Sequence, residues 1–136
     1  MTDRVESIRA AVAALNRGDV DAYLQSFDIE SKRYLSGSDQ PLSLADIRNG
    51  IGEMYEAFVP FVLVEEAIFG DDRSVCARWR IRGTQVAPFM GVPSVGATID
   101  VQTCEIYEFQ GDLVVVSYVY GDHGEMFRQM AVRGES

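Results

Sequence analysis

Positive charge is scarce in this chain. Twelve Lys and Arg stand against 21 Asp and Glu, for a formal charge of −9 and a pI near 4.5. Lys32 is the only lysine. Nucleic-acid binding draws its affinity from clustered Lys and Arg on phosphates, so the composition argues against nucleic acid as a partner and for a small neutral or weakly polar ligand. Cysteine is almost as scarce. Cys76 and Cys104 lack metal-ligand spacing and have no companion His or Cys nearby, so no metal site is expected and both read as reduced thiols in or near a sheet. There is one histidine, His123, and no apolar run approaches the roughly 20 residues that cross a bilayer. No basic segment followed by an apolar stretch opens the chain. A soluble, cytoplasmic protein with no membrane contact is expected.

What the sequence does hold fits one domain, residues 1–136, large enough to bury its own core. Val5, Ile8, Val12 and Leu15 recur at three- and four-residue steps and predict a helix that stops at Gly18. Asp19 then caps a short second helix carrying Val20, Tyr23, Leu24 and Phe27. After the polar loop "SGSDQP", Ser43 and Asp46 resemble a capping box. They open a third helix with Leu44, Ile47, Ile51, Met54, Tyr55 and Phe58 on its stripe, and Pro60 helps to end it. The period then changes. "FVLVEEAIF", "SVCARWRIRG", "ATIDVQTCEIYEF" and "LVVVSYVYG" are rich in β-branched and aromatic residues and are separated by turn signals. Helices followed by successive strands predict an α+β fold with an antiparallel meander; "GEMFRQM" adds a short C-terminal turn.

Alternation assigns the strand faces. On "ATIDVQTCEIYEF", Ile99, Val101, Thr103, Glu105, Tyr107 and Phe109 form one face, so Glu105 sits among apolar neighbours. On "LVVVSYVYG" the same rule groups Val114, Val116, Tyr118, Tyr120 and Asp122. Trp79 looks inward, and Arg78, Arg80 and Arg82 look outward, toward cross-strand partners such as Asp100 or Glu108. The expected pocket is lined by Trp79, Tyr107, Tyr118 and Tyr120 and holds two acids, Glu105 and Asp122. A carboxylate in an apolar pocket is pushed toward the working range of a general acid or base. Each residue has a plainer reading: Glu105 as a paired structural acid, Asp122 as a cap on the segment that follows, His123 as a rim residue, and the aromatics as ordinary core.

The ordered set "ALNRGDVDAY", "VCARWRIRGTQVAPFMGVPSVGATIDVQTCEIYEF" and "YVYGDHGEMFRQM" resembles the SnoaL-like polyketide cyclases of the NTF2-like superfamily over almost the whole chain. The resemblance implies a cone-shaped α+β barrel around an apolar cavity, commonly a homodimer. It implies intramolecular aldol chemistry on a hydrophobic polyketide-like substrate of secondary metabolism, with neither metal nor organic cofactor. It places the acid/base aspartate at Asp122, ahead of "HGEMFRQ", and a polar or acidic cavity residue at Glu105. Gln85, Phe89 and Met90 join the aromatics as expected substrate-binding residues. Gln85 stands where the family often has His, Pro88 interrupts its "EFMG", and Tyr118 replaces a common tryptophan.

Acid/base cyclisation or isomerisation of a carbonyl compound is therefore the first expectation. Epoxide hydrolysis or epoxide-opening cyclisation is the second, and it would need an inward arginine between acids, Arg78 or Arg80. A pericyclic or oxygenative step, and a noncatalytic ligand-binding domain, complete the alternatives.

Overall fold

The computed structural model describes residues 3–134. Helix α1, Arg4–Asn16, is capped by Asp3, whose side chain accepts from Val5 N and Glu6 N. It ends before Gly18, which takes φ +81°, a backbone that glycine adopts without a Cβ penalty. Asp19 caps α2, Val20–Leu24, by accepting from Ala22 N at 3.1 Å. Helix α3, Leu44–Ala57, opens on the anticipated capping box: Asp46 N donates to Ser43 Oγ at 3.1 Å, and Ser43 N to Asp46 Oδ2 at 2.9 Å. Three assignments shift by an element. Phe27, expected on the second helix, lies beyond α2 and opens the strand Phe27–Leu35. Phe58 is not the last stripe residue of α3 but the first residue of β2, Phe58–Gly70, and Pro60 lies inside that strand. An edge strand tolerates proline because one row of its amides has no ladder to join.

Strands β2, β3 (Ser74–Gln85), β4 (Thr98–Gln110) and β5 (Leu113–Gly121) form the expected antiparallel meander. A fifth strand, β1 (Phe27–Leu35), was not anticipated. It pairs parallel with β5, giving the order β1-β5-β4-β3-β2. The sequence conceals it because its inward positions after Phe27 are Ser31 and Arg33, both buried, while Ile29 is exposed. An inverted pattern of this kind defeats any reading based on apolar alternation.

The core lies between the inner sheet face and the helices. Ile8, Val12 and Leu15 of α1, Tyr23 and Leu24 of α2, and Ile47 and Ile51 of α3 pack with Val75, Ala77, Trp79, Tyr107 and Val114. A second cluster joins Ala57, Phe58, Ile99 and Val101 to Met126 and Met130 of α4, His123–Met130. Strand β5 ends at the Thr103–Gly121 pair, so β4 continues past it without a partner strand on that side. The Gln129 side chain takes the missing strand's place. Its Oε1 accepts from Asp100 N at 2.7 Å, and its Nε2 donates to Asp100 O at 3.1 Å. Among the described residues no helix is long and apolar enough to cross a membrane.

Candidate functional site

The faces of β5 are decided by a bulge. Phe109 pairs with Val114 and Glu108 with Val116, which leaves Val115 unopposed. An extra residue reverses the side on which every later side chain emerges. Beyond it Ser117, Val119 and Gly121 face inward, opposite Tyr107, Glu105 and Thr103, and Tyr118 and Tyr120 face outward, opposite Ile106 and Cys104. This corrects the expectation that Tyr118, Tyr120 and Asp122 share the apolar face with Val114. Tyr118 stacks on Tyr34 with ring centroids 5.6 Å apart, and Tyr120 is 51% exposed. Both line shallow outer grooves of about 270 and 380 Å³, with Tyr120 common to the two.

Glu105 keeps its assigned place. It is 6% exposed on the inner face of β4, with Trp79 and Tyr107 of that face at 2% and 1%. Trp79 Nε1 donates to Tyr107 Oη at 3.3 Å. Strand β1 adds Arg33, whose Nε donates to Ser117 Oγ at 3.2 Å and whose Nη2 donates to Tyr23 Oη at 2.7 Å. The same Nη2 lies 3.8 Å from Glu105 Oε2, too far for a hydrogen bond, and Oε2 is buried without a donor. The Arg33 guanidinium also sits over the Phe27 ring, 5.4 Å from its centroid. Burial works against the Arg33 charge, yet Tyr23 and Glu105 together hold its pKa above the ordinary value. Burial first, and Glu105 second, hold the Tyr107 phenol well above its usual range. Burial likewise raises Tyr23, against the pull of Arg33. Both tyrosines are therefore neutral hydroxyls at ordinary pH.

Asp122 lies elsewhere. It is the exposed N-cap of α4, with Oδ1 accepting from Glu125 N at 2.9 Å, the position its plainer reading required. Its other oxygen makes no hydrogen bond or ion pair among the described residues. With Ser36, Arg78, Gln102, Cys104 and Tyr120 it lines the larger outer groove, whose lining does not include Glu105. His123 is an exposed neighbour on the first turn of α4.

The segment after β3 is held rather than open. Gln85, 1% exposed, donates from Nε2 to Ala87 O at 3.1 Å and Val92 O at 3.0 Å. Phe89 packs edge-on against Phe58 at 5.3 Å. Met90 is 69% exposed at the turn, with φ +50°. The arginines of β3 face outward as expected: Arg78 and Arg80 pair with Glu66, and Arg80 and Arg82 with Asp100 rather than Glu108. Cys76 and Cys104 are free thiols 3.8 Å apart on that outer face.

The structure thus brings together Glu105, Tyr107 and Trp79 from the expected set, adds Arg33, Tyr23 and Ser117, and sets Asp122, Tyr118, Tyr120 and Met90 apart. Arg33 escaped the sequence reading because its strand did; the only local signal was the run "RYL" before a glycine turn. An ionisable carboxylate beside a fixed cation and neutral phenols is equipped for proton transfer with charge stabilisation.

A family model described as SnoaL-like polyketide cyclase matches residues 5–130. No curated protein sequence matches the chain. Among solved structures, AclR of Streptomyces galilaeus, described as a candidate hydroxylase, is 22% identical with a TM-score of 0.86, covering 93% of this chain and 94% of its own. A candidate SnoaL-like polyketide cyclase from Jannaschia sp. CCS1 is 17% identical at 0.85, covering 96% and 93%. IdmH of Streptomyces antibioticus, a candidate polyketide cyclase, is 19% identical at 0.84, covering 96% and 100%. At these identities the likeness shows the fold alone.

Proposed function

Because the chain belongs to the SnoaL-like polyketide cyclase family, we propose that it closes or isomerises a ring in a hydrophobic, polyketide-like carbonyl compound by acid/base chemistry of its own side chains. One observation carries the reading: Glu105 is held on the buried inner face with Oε2 lacking any donor. A carboxylate oxygen left unpartnered in such surroundings is costly and is available to accept a proton. Glu105 takes the proton α to a carbonyl, the resulting enolate carbon attacks a second carbonyl of the same molecule, and the new alkoxide takes a proton back. Neutral Tyr107 on that face, and Tyr23 on α2 packed against it, are available as hydroxyl donors. Flanking carbonyls acidify the proton, so positioning and a modest base supply the remainder.

Asp122 is proposed as the second proton carrier, at the rim. Glu105 lies two residues along β4 from the terminal Thr103–Gly121 pair, about 7 Å, and Asp122 follows Gly121. Asp122 opens onto the outer groove and Glu105 onto the inner face, so a substrate that meets both has to pass around the end of β5. The protein is further proposed to act as a homodimer, which a mass measurement in solution tests.

A second reading is favoured by Arg33. Epoxide opening needs an inward guanidinium beside an acid, and Arg33 supplies one where Arg78 and Arg80, turned outward, do not. The product separates the two readings.

The experiment is turnover of a panel of polyketide-type β-dicarbonyl compounds and epoxides, followed by mass spectrometry. Glu105→Gln is expected to lose about 10²-fold or more, the range of a positioned acid or base, with folding retained. Full conversion by that variant refutes the proposal. A product isomeric with a dicarbonyl substrate, or lighter by one water, marks cyclisation; opening of the epoxides marks the second reading.

A further inference from the structure

Arg33 has a donor to spare. Nε and Nη2 are committed to Ser117 and Tyr23, whereas Nη1 makes no hydrogen bond among the described residues. The Arg33 side chain is 11% exposed, so part of it meets solvent, whereas Glu105 Oε2 does not and is reached only when the residues over it shift. Beside it Glu105 Oε2 has no donor and stands 3.8 Å from Nη2. A fixed cation with a free N–H and a fixed carboxylate with a free oxygen therefore stand side by side, each lacking a hydrogen-bond partner of the opposite kind. Desolvating such a pair is offset only when both members are well hydrogen-bonded, and here neither is complete. A ligand that completes both presents an acceptor and a transferable proton within a few bonds of each other. A carbonyl with an acidic C–H on the adjacent carbon has that form.

We propose that Arg33 is a catalytic residue that receives the carbonyl oxygen of an enolisable 1,3-dicarbonyl substrate on Nη1 and holds the negative charge that forms there. This rests on the reading of Glu105 as the base. The α-C–H bond breaks, its proton goes to Glu105 Oε2, its electron pair forms the C=C bond of the enolate, and the C=O π pair moves onto the carbonyl oxygen. Net charge is conserved: Arg33 exchanges a carboxylate partner for an enolate partner as Glu105 becomes neutral. The guanidinium is never left unpaired, and its hydrogen bonds to Tyr23 and Ser117 fix the donor before the charge appears, which is the condition under which such a donor contributes most.

The probe is 4-nitrophenol, whose phenolate mimics an enolate and is told from the phenol by its visible absorbance. Glu105→Gln imitates the protonated Glu105 of the enolate complex and is the background of choice. In it the ionised fraction of bound nitrophenol at fixed pH is expected to rise at least tenfold over free nitrophenol, and to rise above that in wild type. Arg33→Met in the Glu105→Gln background leaves no uncompensated buried carboxylate and is expected to abolish the rise. Arg33→Lys in that background keeps the charge without the fork and is expected to retain part of it, which covers the case in which the methionine variant does not fold. No rise in Glu105→Gln, or an equal rise after Arg33 is replaced, overturns the proposal. Failure of the base reading looks different: Glu105→Gln would retain turnover while phenolate capture still depended on Arg33.

Discussion

Asp122 carries two claims on one side chain, and substitution separates them. Its Oδ1 caps α4 through Glu125 N, a service asparagine performs as well as aspartate and alanine does not. Asp122→Ala is therefore expected to lower unfolding stability by about 1 kcal/mol, with Asp122→Asn close to wild type, as read by denaturant titration. Turnover reads the other claim. A folded Asp122→Asn that loses about 10²-fold makes the free oxygen a proton carrier, and one at wild-type rate leaves Asp122 a cap alone. At this scale Glu105, Trp79 and the outward arginines were legible because their strands alternate without interruption. Tyr118 and Tyr120 were not, because one unopposed residue, Val115, reverses the faces without leaving a mark in composition.

Elements were legible where their periodicity came from apolar residues. The stripes of α1 and α3 and the four meander strands are of that kind, and the Ser43–Asp46 box fixed the start of α3. Strand β1 was hidden because the residues it buries beyond Phe27 are Ser31, whose Oγ has no hydrogen-bond partner among the described residues, and Arg33, held by hydrogen bonds to Tyr23 and Ser117. Helix α4 shows a different dependence on a single residue. Gln129 joins both the amide and the carbonyl of Asp100 where β5 no longer reaches. Gln129→Leu leaves both backbone groups unpartnered beneath a helix, and a loss of about 1–3 kcal/mol is expected. Hydrogen exchange should accelerate at Asp100 and within α4, and stay unchanged in the β3–β4 ladder. Uniform acceleration throughout the sheet would show that Gln129 supports the whole fold rather than one docking contact.

Across the molecule, the buried phenols set an alkaline limit. Tyr23 and Tyr107 have folded-state pKa values raised above the ordinary 10, burial being the main cause. Below about pH 10 both states hold these protons and no dependence arises. Above it the unfolded chain releases phenolic protons that the folded chain retains, so unfolding is favoured as pH rises, by about 1.4 kcal/mol per pH unit for each tyrosine. The denaturant midpoint is expected to be flat from pH 8 to 9.5 on this account and to fall beyond pH 10, with a shallower fall in Tyr107→Phe. An unchanged slope in that variant would assign the alkaline transition to other groups.

The parallel pairing of β1 with β5 also orders events during synthesis. Arg33 and Ser117, which that pairing brings together, are 84 residues apart in the chain. At roughly 5–20 residues per second, β1 leaves the ribosome several seconds before the strand it must join. In that interval Arg33 has neither Ser117 nor Glu105 beside it. The polar residues that conceal β1 keep the waiting segment hydrated and unattractive to other nascent chains, where an apolar edge strand would be a template for aggregation. The charged centre of the protein is thus completed only once β5 has emerged, and a chain cut short before β5 cannot assemble it.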